Sequence, residues 1–273
     1  MNPDRIVIGC DDPKGMKVLH DLYEPMRKAN APILSTDRTS AELIKYASNA
    51  FLSVKISFIN EMSRLAEKAG ADVSRIAEGM GMDRRIGAAF LLPGPGYGGS
   101  CFPKDTKALL ETAKEYDSEM KIVEAAVEAN EDQMRFAAEK IIMNLPGGKE
   151  KASIGLLGLA FKGGTDDVRE SPALRIASIL IEKGFSVRAY DPEASSNALK
   201  ELETLNICNS ALDAARGSDV LVIATEWNEF KTLDLREIRE VMAAPRIVDL
   251  RNLLDPVHTK ELGFSYDCMG RKR

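Results

Sequence analysis

Between Ser40 and Ala69, apolar residues fall at 44, 47, 51, 54, 58, 62, 65 and 69, the repeat of one helical face. No proline interrupts the run, Ser40 is a candidate cap and Gly70 a candidate stop. The pattern predicts one helix of ~45 Å at 1.5 Å per residue, longer than a small core needs. A helix of that length is expected to span a joint between domains and to pack on its copy in a homodimer. Before it, Arg5–Gly9 reads as a strand, Lys14–Lys28 as a helix started by Asp12-Pro13, and Ile33–Thr36 as a short extended piece. After it come helices over Val73–Met80, opened by Asp72 and closed by Gly79 and Gly81, then over Thr106–Glu115 and Lys121–Leu145. Pro146-Gly147-Gly148-Lys149-Glu150-Lys151 reads as a linker.

Beyond the linker the period changes. Ser153–Leu157, Ser186–Tyr190, Val220–Ala224 and Arg246–Leu250 are apolar runs of strand length, and Ser171-Pro172 opens a helix to Lys183 that Gly184 closes. Strands alternating with helices predict a doubly wound parallel sheet. The fold class is therefore α/β: an all-helical central region with one long helix, followed by a Rossmann-like domain. Ligands of such sheets sit beyond the carboxyl ends of the strands. Gly158–Lys162, Thr225-Glu226-Trp227 and Asp249-Leu250-Arg251 lie at such ends. The glycines after the first of these strands do not spell GxGxxG, and the acidic residue after the second is Asp191 in a DP turn, which argues against NAD bound by this sheet.

Composition narrows the functional classes. The 273 residues are 44% hydrophobic and 29% charged with net charge −5, ordinary for a globular protein of two domains and unsuited to tracking nucleic acid. The basic tail Arg271-Lys272-Arg273 is short and reads as a frayed terminus. Four scattered cysteines without CxxC spacing fit a reducing, cytoplasmic setting and no metal site. No apolar run reaches the ~18 residues of a membrane helix, and Met1-Asn2-Pro3-Asp4-Arg5 does not open a signal peptide.

The chemistry concentrates in Gly94-Pro95-Gly96-Tyr97-Gly98-Gly99-Ser100-Cys101-Phe102-Pro103-Lys104-Asp105. Glycines let a backbone approach a ligand. Pro103 suits the first turn of a helix, which puts Cys101 at the N-terminus, where the helix dipole favours a thiolate. Lys104 adds a cation, and Asp105 lies one turn on from Cys101. Lys45 and Asn49 are i and i+4 on the long helix, off its apolar stripe. Alone, each feature has a plainer reading: a buried cysteine, a solvated helix face, or a surface Arg84-Arg85 pair.

The segment GGSCFPKD resembles the catalytic-cysteine motif of the UDP-glucose and GDP-mannose dehydrogenases. Ser40–Leu52, Gly81–Gly87 and Val248–Asn252 extend the resemblance across the chain. It implies an NAD-dependent, four-electron oxidation of a UDP-sugar through a thioester on Cys101, with Lys45, Asn49 and Asp105 as further catalytic residues. It implies sugar-nucleotide contacts from Lys45, Asn49, Arg85, Phe90, Leu91, Leu92, Pro93, Gly94, Gly98, Phe161, Lys162 and Arg251, with Arg85 reaching into a neighbouring subunit. Lys104 and Arg169 are implied to touch NAD. The implied domains are 1–38, the end of an NAD-binding domain whose main part is absent from this chain; 39–146, central and dimerising; and 147–273, binding the UDP-sugar. The spellings match the UDP-glucose branch, with UDP-N-acetyl sugars and GDP-mannose as alternatives. Little turnover is expected from these 273 residues by themselves. A non-catalytic sugar-nucleotide module and a cysteine hydrolase or acyl-transferase are the competing readings.

Overall fold

The computed structural model describes residues 3–147 and 152–271; Gly148–Lys151 of the expected linker and Lys272-Arg273 of the tail lie outside the described residues. The chain divides into two compact units, Met1–Phe51 and Leu52–Arg273.

In the first unit, β1 (Ile6–Gly9) is followed by α1 (Pro13–Lys28) and β2 (Ile33–Thr36). The two strands pair in parallel from Ile6 opposite Ile33 to Gly9 opposite Thr36. Asp12 caps α1 by accepting from Gly15 N–H, as the Asp-Pro signal predicts. The long helix α2 then runs over Arg38–Ala69, 32 residues. Its cap differs from the expected one. The Asp37 carboxylate accepts from Ser40 N–H at 2.8 Å, so the helix starts before Ser40, because a carboxylate one turn upstream satisfies that donor. Gly70 has φ 75°, and Ala71 N–H closes back on Ala66 C=O, the expected end.

The second unit begins within α2. Next come α3 (Val73–Met82), α4 (Phe102–Glu115) and α5 (Lys121–Met143). Asp72 caps α3 as expected, but Gly79 and Gly81 lie inside this helix, which ends at Met82. Gly81 sits with its Cα face against Ala88, so it serves close packing and not termination. Helix α5 stops two residues short of the expected Leu145. Along α2 the buried positions are mostly small or polar: Ala50, Ser53, Ser57, Asn60, Ser63 and Ala66. The apolar stripe faces outward instead, with Phe51, Phe58 and Leu65 each exposed by 45% or more at intervals of seven residues.

The rest of the unit holds β3 (Ser153–Leu157), α6 (Pro172–Glu182), β4 (Ser186–Tyr190), α7 (Ser195–Glu201), β5 (Asn206–Ile207), α8 (Ala211–Ala215), β6 (Val220–Ile223), α9 (Asn228–Lys231), α10 (Leu235–Val241), β7 (Arg246–Asp249), α11 (Pro256–Glu261) and β8 (Ser265–Cys268). Six parallel strands lie in the order β5-β4-β3-β6-β7-β8. The expected strands appear, and β5 and β8 add one at each edge. Both sheet faces are covered by apolar clusters, so the central strands are buried throughout. The chain reverses direction between β3 and β6, and loops after those strands flank the crevice where such sheets take ligands.

Arg271, the last described residue, is tied down. Arg271 donates to Ser74 Oγ at 2.7 Å and pairs with Asp72, which corrects the reading of that residue as frayed. Lys140 of α5, with its side chain 2% exposed, pairs with Glu67 at the end of α2 and with Asp267 of β8, at 2.9 and 3.0 Å. Removing that ammonium would leave two carboxylates facing each other in the interior. We expect Lys140→Met to cost about 3–5 kcal/mol in urea unfolding; an unchanged midpoint would show that the network does not hold these elements together.

Candidate active site

Cys101 is the N-cap residue of α4, exposed and not in a disulfide. Pro103 occupies the first turn, as expected. Asp105 N–H donates to Cys101 C=O at 2.8 Å, closing that turn. The Asp105 carboxylate is fully buried and pairs with Lys104 Nζ at 2.6 Å, while the Lys104 side chain is 66% exposed. Thus the Lys104 ammonium stands at the surface and its partner faces inward.

The loop leading to Cys101 packs against two others. Gly99 N–H donates to Arg169 C=O at 2.9 Å. A Cβ on Gly98 would overlap Glu170 C=O, so only glycine permits this approach. The Phe161 ring covers Gly99, and the Arg251 guanidinium lies over Gly94, with Nη1 3.1 Å from where a Cβ would stand. Phe102 meets Phe90 and Tyr97 edge-on, with both centroid distances 6.0 Å. Burial pushes the Tyr97 hydroxyl up to about 12.

Of the residues expected to contact the sugar nucleotide, Pro93, Gly94 and Gly98 are buried in this loop. Leu91 turns into a core cluster with Ile59 and Val73, leaving its backbone for any contact, whereas Leu92 stands in solvent. Phe90 is partly exposed and left-handed at φ 65°. Phe161 and Lys162 follow β3, with the Lys162 ammonium 5.4 Å from the Phe161 ring centre. Arg251, after β7, donates through Nε to Ala224 C=O at 2.9 Å and pairs with Glu226. Burial lowers its affinity for the proton, and Glu226 and Asp249 push it back up. Arg169 is exposed, and its proton affinity is raised chiefly by its hydrogen bond to Asp167. Asp167 pairs with it at 2.6 Å and is held below the usual carboxylate range, chiefly by the hydrogen bond from Arg169. Arg85 extends into solvent with Asp83 as its partner. Of these, Gly94, Gly98, Phe161 and Arg251 come together where the loop before Cys101 meets the loops after β3 and β7. Lys45 and Asn49 belong to the first unit, where with Arg5, Ile44 and Ser48 they line a cavity of about 450 Å³.

Two carboxylates that sequence reading left aside organise the mouth. Asp191, 2% exposed, accepts from Leu159, Ala160, Glu193 and Ala194 N–H and from the Trp227 indole, all within 3.0 Å. Both of its oxygens are engaged by these donors. Asp249 accepts from Arg251, Leu253 and Leu254 N–H and from the Tyr266 hydroxyl. Burial raises its proton affinity and those four donors oppose the shift. An acidic residue ending an apolar strand was the available signal for both. Among the described residues no cluster of acids, cysteines and histidines could hold a metal ion, and no helix is long and apolar enough to cross a membrane.

Comparison with known proteins agrees with this geometry. Residues 39–132 match the central domain of the UDP-glucose/GDP-mannose dehydrogenase family and residues 155–256 its UDP binding domain. The UDP-glucose 6-dehydrogenases of Rhizobium meliloti and Rickettsia typhi are 45% and 44% identical over 98% and 99% of this chain. The chain spans 62% and 63% of their lengths. The UDP-glucose dehydrogenase of Pyrobaculum islandicum superposes with a TM-score of 0.87 at 37% identity, over 97% of this chain and 58% of that one. A UDP-D-ManNAc dehydrogenase from Pyrococcus horikoshii superposes at 0.81 with 33% identity, over 97% and 59%. The chain belongs to the UDP-glucose/GDP-mannose dehydrogenase family and carries its central and UDP-binding domains.

Asp191 supplies a direct check on the mouth. Asp191→Ala would strand buried donors at Leu159, Ala160 and Trp227. We expect a loss of about 2 kcal/mol or more in stability and a red shift in the emission of Trp227, the single tryptophan. Unaltered fluorescence would show that the loop after β3 is held by something else.

Proposed function

We propose that this chain forms the nucleophile-bearing and sugar-nucleotide-binding part of a UDP-glucose 6-dehydrogenase, which oxidises a UDP-sugar's primary alcohol to a carboxylate. The observation that carries the reading is an exposed thiol at the start of a 14-residue helix, on a loop locked by main-chain contacts to the mouth of a parallel sheet. NAD accepts the two hydrides of such an oxidation. Lys104 and Arg169, exposed cations near Cys101, fit its phosphates.

The residues account for the chemistry. Cys101 Sγ adds to the carbonyl carbon of the intermediate aldehyde, giving a thiohemiacetal whose oxidation leaves a thioester. Water then attacks the thioester, the C–S bond breaks, and the thiol is regenerated with the acid. The helix N-terminus supports the thiolate at each departure. Arg251 and Lys162 meet the sugar and diphosphate, Phe161 the base, and the backbone of 90–94 and Gly98 the remaining polar edges. Lys45 is assigned to stabilising oxyanion character, and Asn49 and Asp105 to ordering the water. For Lys45 and Asn49 the support is the Ser40–Leu52 motif and their shared cavity. UDP-glucose is favoured over other nucleotide sugars because the relatives at 44–45% identity carry that name.

Calorimetry should show UDP-glucose binding to the chain, which a cysteine hydrolase need not do. With the chain joined to the family's NAD-binding domain and NAD present, UDP-glucuronate formation should fall roughly 10³-fold or more in Cys101→Ala. Normal acid formation in that variant would falsify the mechanism. Binding with no NADH formed under any condition would favour a non-catalytic sugar-nucleotide module.

The proposed partner is a second copy of the chain. The outward stripe of α2, with Phe58 and Leu65 at 45% and 56% exposure, is apolar surface at helical spacing, and the exposed Arg85 suits a contact beyond its own subunit. We expect Phe58→Glu with Leu65→Glu to halve the mass seen by light scattering; a parent that is already monomeric would sink this part of the reading.

A further inference from the structure

Three buried amides grip the loop in front of Cys101. Gly94 N–H donates to Asn60 Oδ1 at 2.8 Å, and Gln133 Nε2 donates to Gly94 C=O at 2.8 Å. Tyr97 N–H donates to Asn130 Oδ1 at 2.8 Å, and Asn130 Nδ2 returns a bond to Tyr97 C=O at 3.1 Å. Two irregular residues thus have both main-chain groups held, as a paired strand would hold them. Asn60 comes from α2, while Asn130 and Gln133 are i and i+3 on α5 and so share a face. All three are buried.

The grip is bought at a cost that packing alone would not require. Asn60 Nδ2 and Gln133 Oε1 are buried without a hydrogen-bond partner among the described residues. A methionine or leucine would fill the same space with no unpaired amide atom of its own, but would leave the buried main-chain groups of Gly94 without partners. The hold also extends toward the thiol: the Tyr97 ring packs against Phe102, the neighbour of Cys101.

We propose that Asn60, Asn130 and Gln133 are positioning residues that fix the loop so that Cys101 stands at the α4 N-terminus before any ligand arrives. This rests on reading Cys101 as the nucleophile. None of the three reaches the sulfur; they act through Gly94 and Tyr97.

The test is the rate at which iodoacetamide alkylates Cys101 in this chain, followed by peptide mass spectrometry. Because Cys101 is already exposed, loosening the loop adds little access and takes the sulfur from the helix end. Gln133→Met and Asn60→Leu should therefore react about two- to fivefold more slowly at neutral pH. Asn130→Asp separates positioning from packing. Its protonated carboxyl keeps one acceptor and one donor, like the amide, whereas the ionised form keeps acceptors only. At the buried Asn130 position the new carboxyl stays protonated at about pH 5.5, so the variant-to-parent ratio should be close to one there, and it should fall about two- to fivefold at about pH 8.5, where the carboxyl ionises. Ratios of one at both pH values would overturn the proposal. So would an equal fall at both, which marks a packing defect. If Gln133→Met or Asn60→Leu fails to fold, the Asn130→Asp pair of measurements decides. Missing UDP-glucose oxidation with the expected ratios would count against the proposed reaction and leave the positioning role standing.

Discussion

The candidate site depends on a main-chain contact between two loops that are some seventy residues apart. Gly99 N–H reaches Arg169 C=O, and Gly98 lies against Glu170 C=O with no room for a side chain. Backbone against backbone is the closest approach two segments can make outside a sheet, and it fixes position more tightly than side chains could. Through it, a thiol carried by a helical region is set at the mouth of a parallel sheet. Arg251 over Gly94 and Phe161 over Gly99 use the same absence of side chains.

Around that contact, polar groups are spent on holding backbone. Asp191 and Asp249 are fully engaged by main-chain donors, Trp227 and Tyr266. In a low-dielectric interior a satisfied carboxylate rigidifies its surroundings, while an unsatisfied one would be costly. Other charges stand at the surface: Lys162, with Lys104 and Arg169 paired to Asp105 and Asp167. The division is physical. Buried charge shapes the loops, and exposed charge can meet phosphate.

The helical region follows the same economy. The inward side of α2 is serine, asparagine and alanine, with Ser57 Oγ donating to Ala126 C=O of α5 at 2.7 Å and Asn60 holding Gly94. Ile59 turns into the core, while Phe51, Phe58 and Leu65 point away from it. The amphipathic pattern gave the existence of a stripe and not which neighbour covers it, because periodicity carries no information about the partner.

Much was legible along the chain. Local rules sufficed for α1, α2, β3, β4 and the start of α4, where a capping aspartate, a glycine stop, an apolar run or Cys-Phe-Pro marks the boundary within a few residues. They failed for β5, which has two residues, and for β8, whose Asp267 is buried by Lys140 and Asn144 from a distant helix. They failed for the start of α2 and the end of α3, where Asp37 and Ala88 intervene. The sequence by itself determined the element types, the alternation that makes the sheet parallel, and the cysteine at a helix start, since each depends on residues within about two turns of one another. Only the tertiary structure decided that Asp105 faces inward, that Asp191 is consumed by a loop and a tryptophan, and that three amides clasp Gly94 and Tyr97. Those outcomes depend on groups thirty or more residues apart, whose meeting no local pattern encodes.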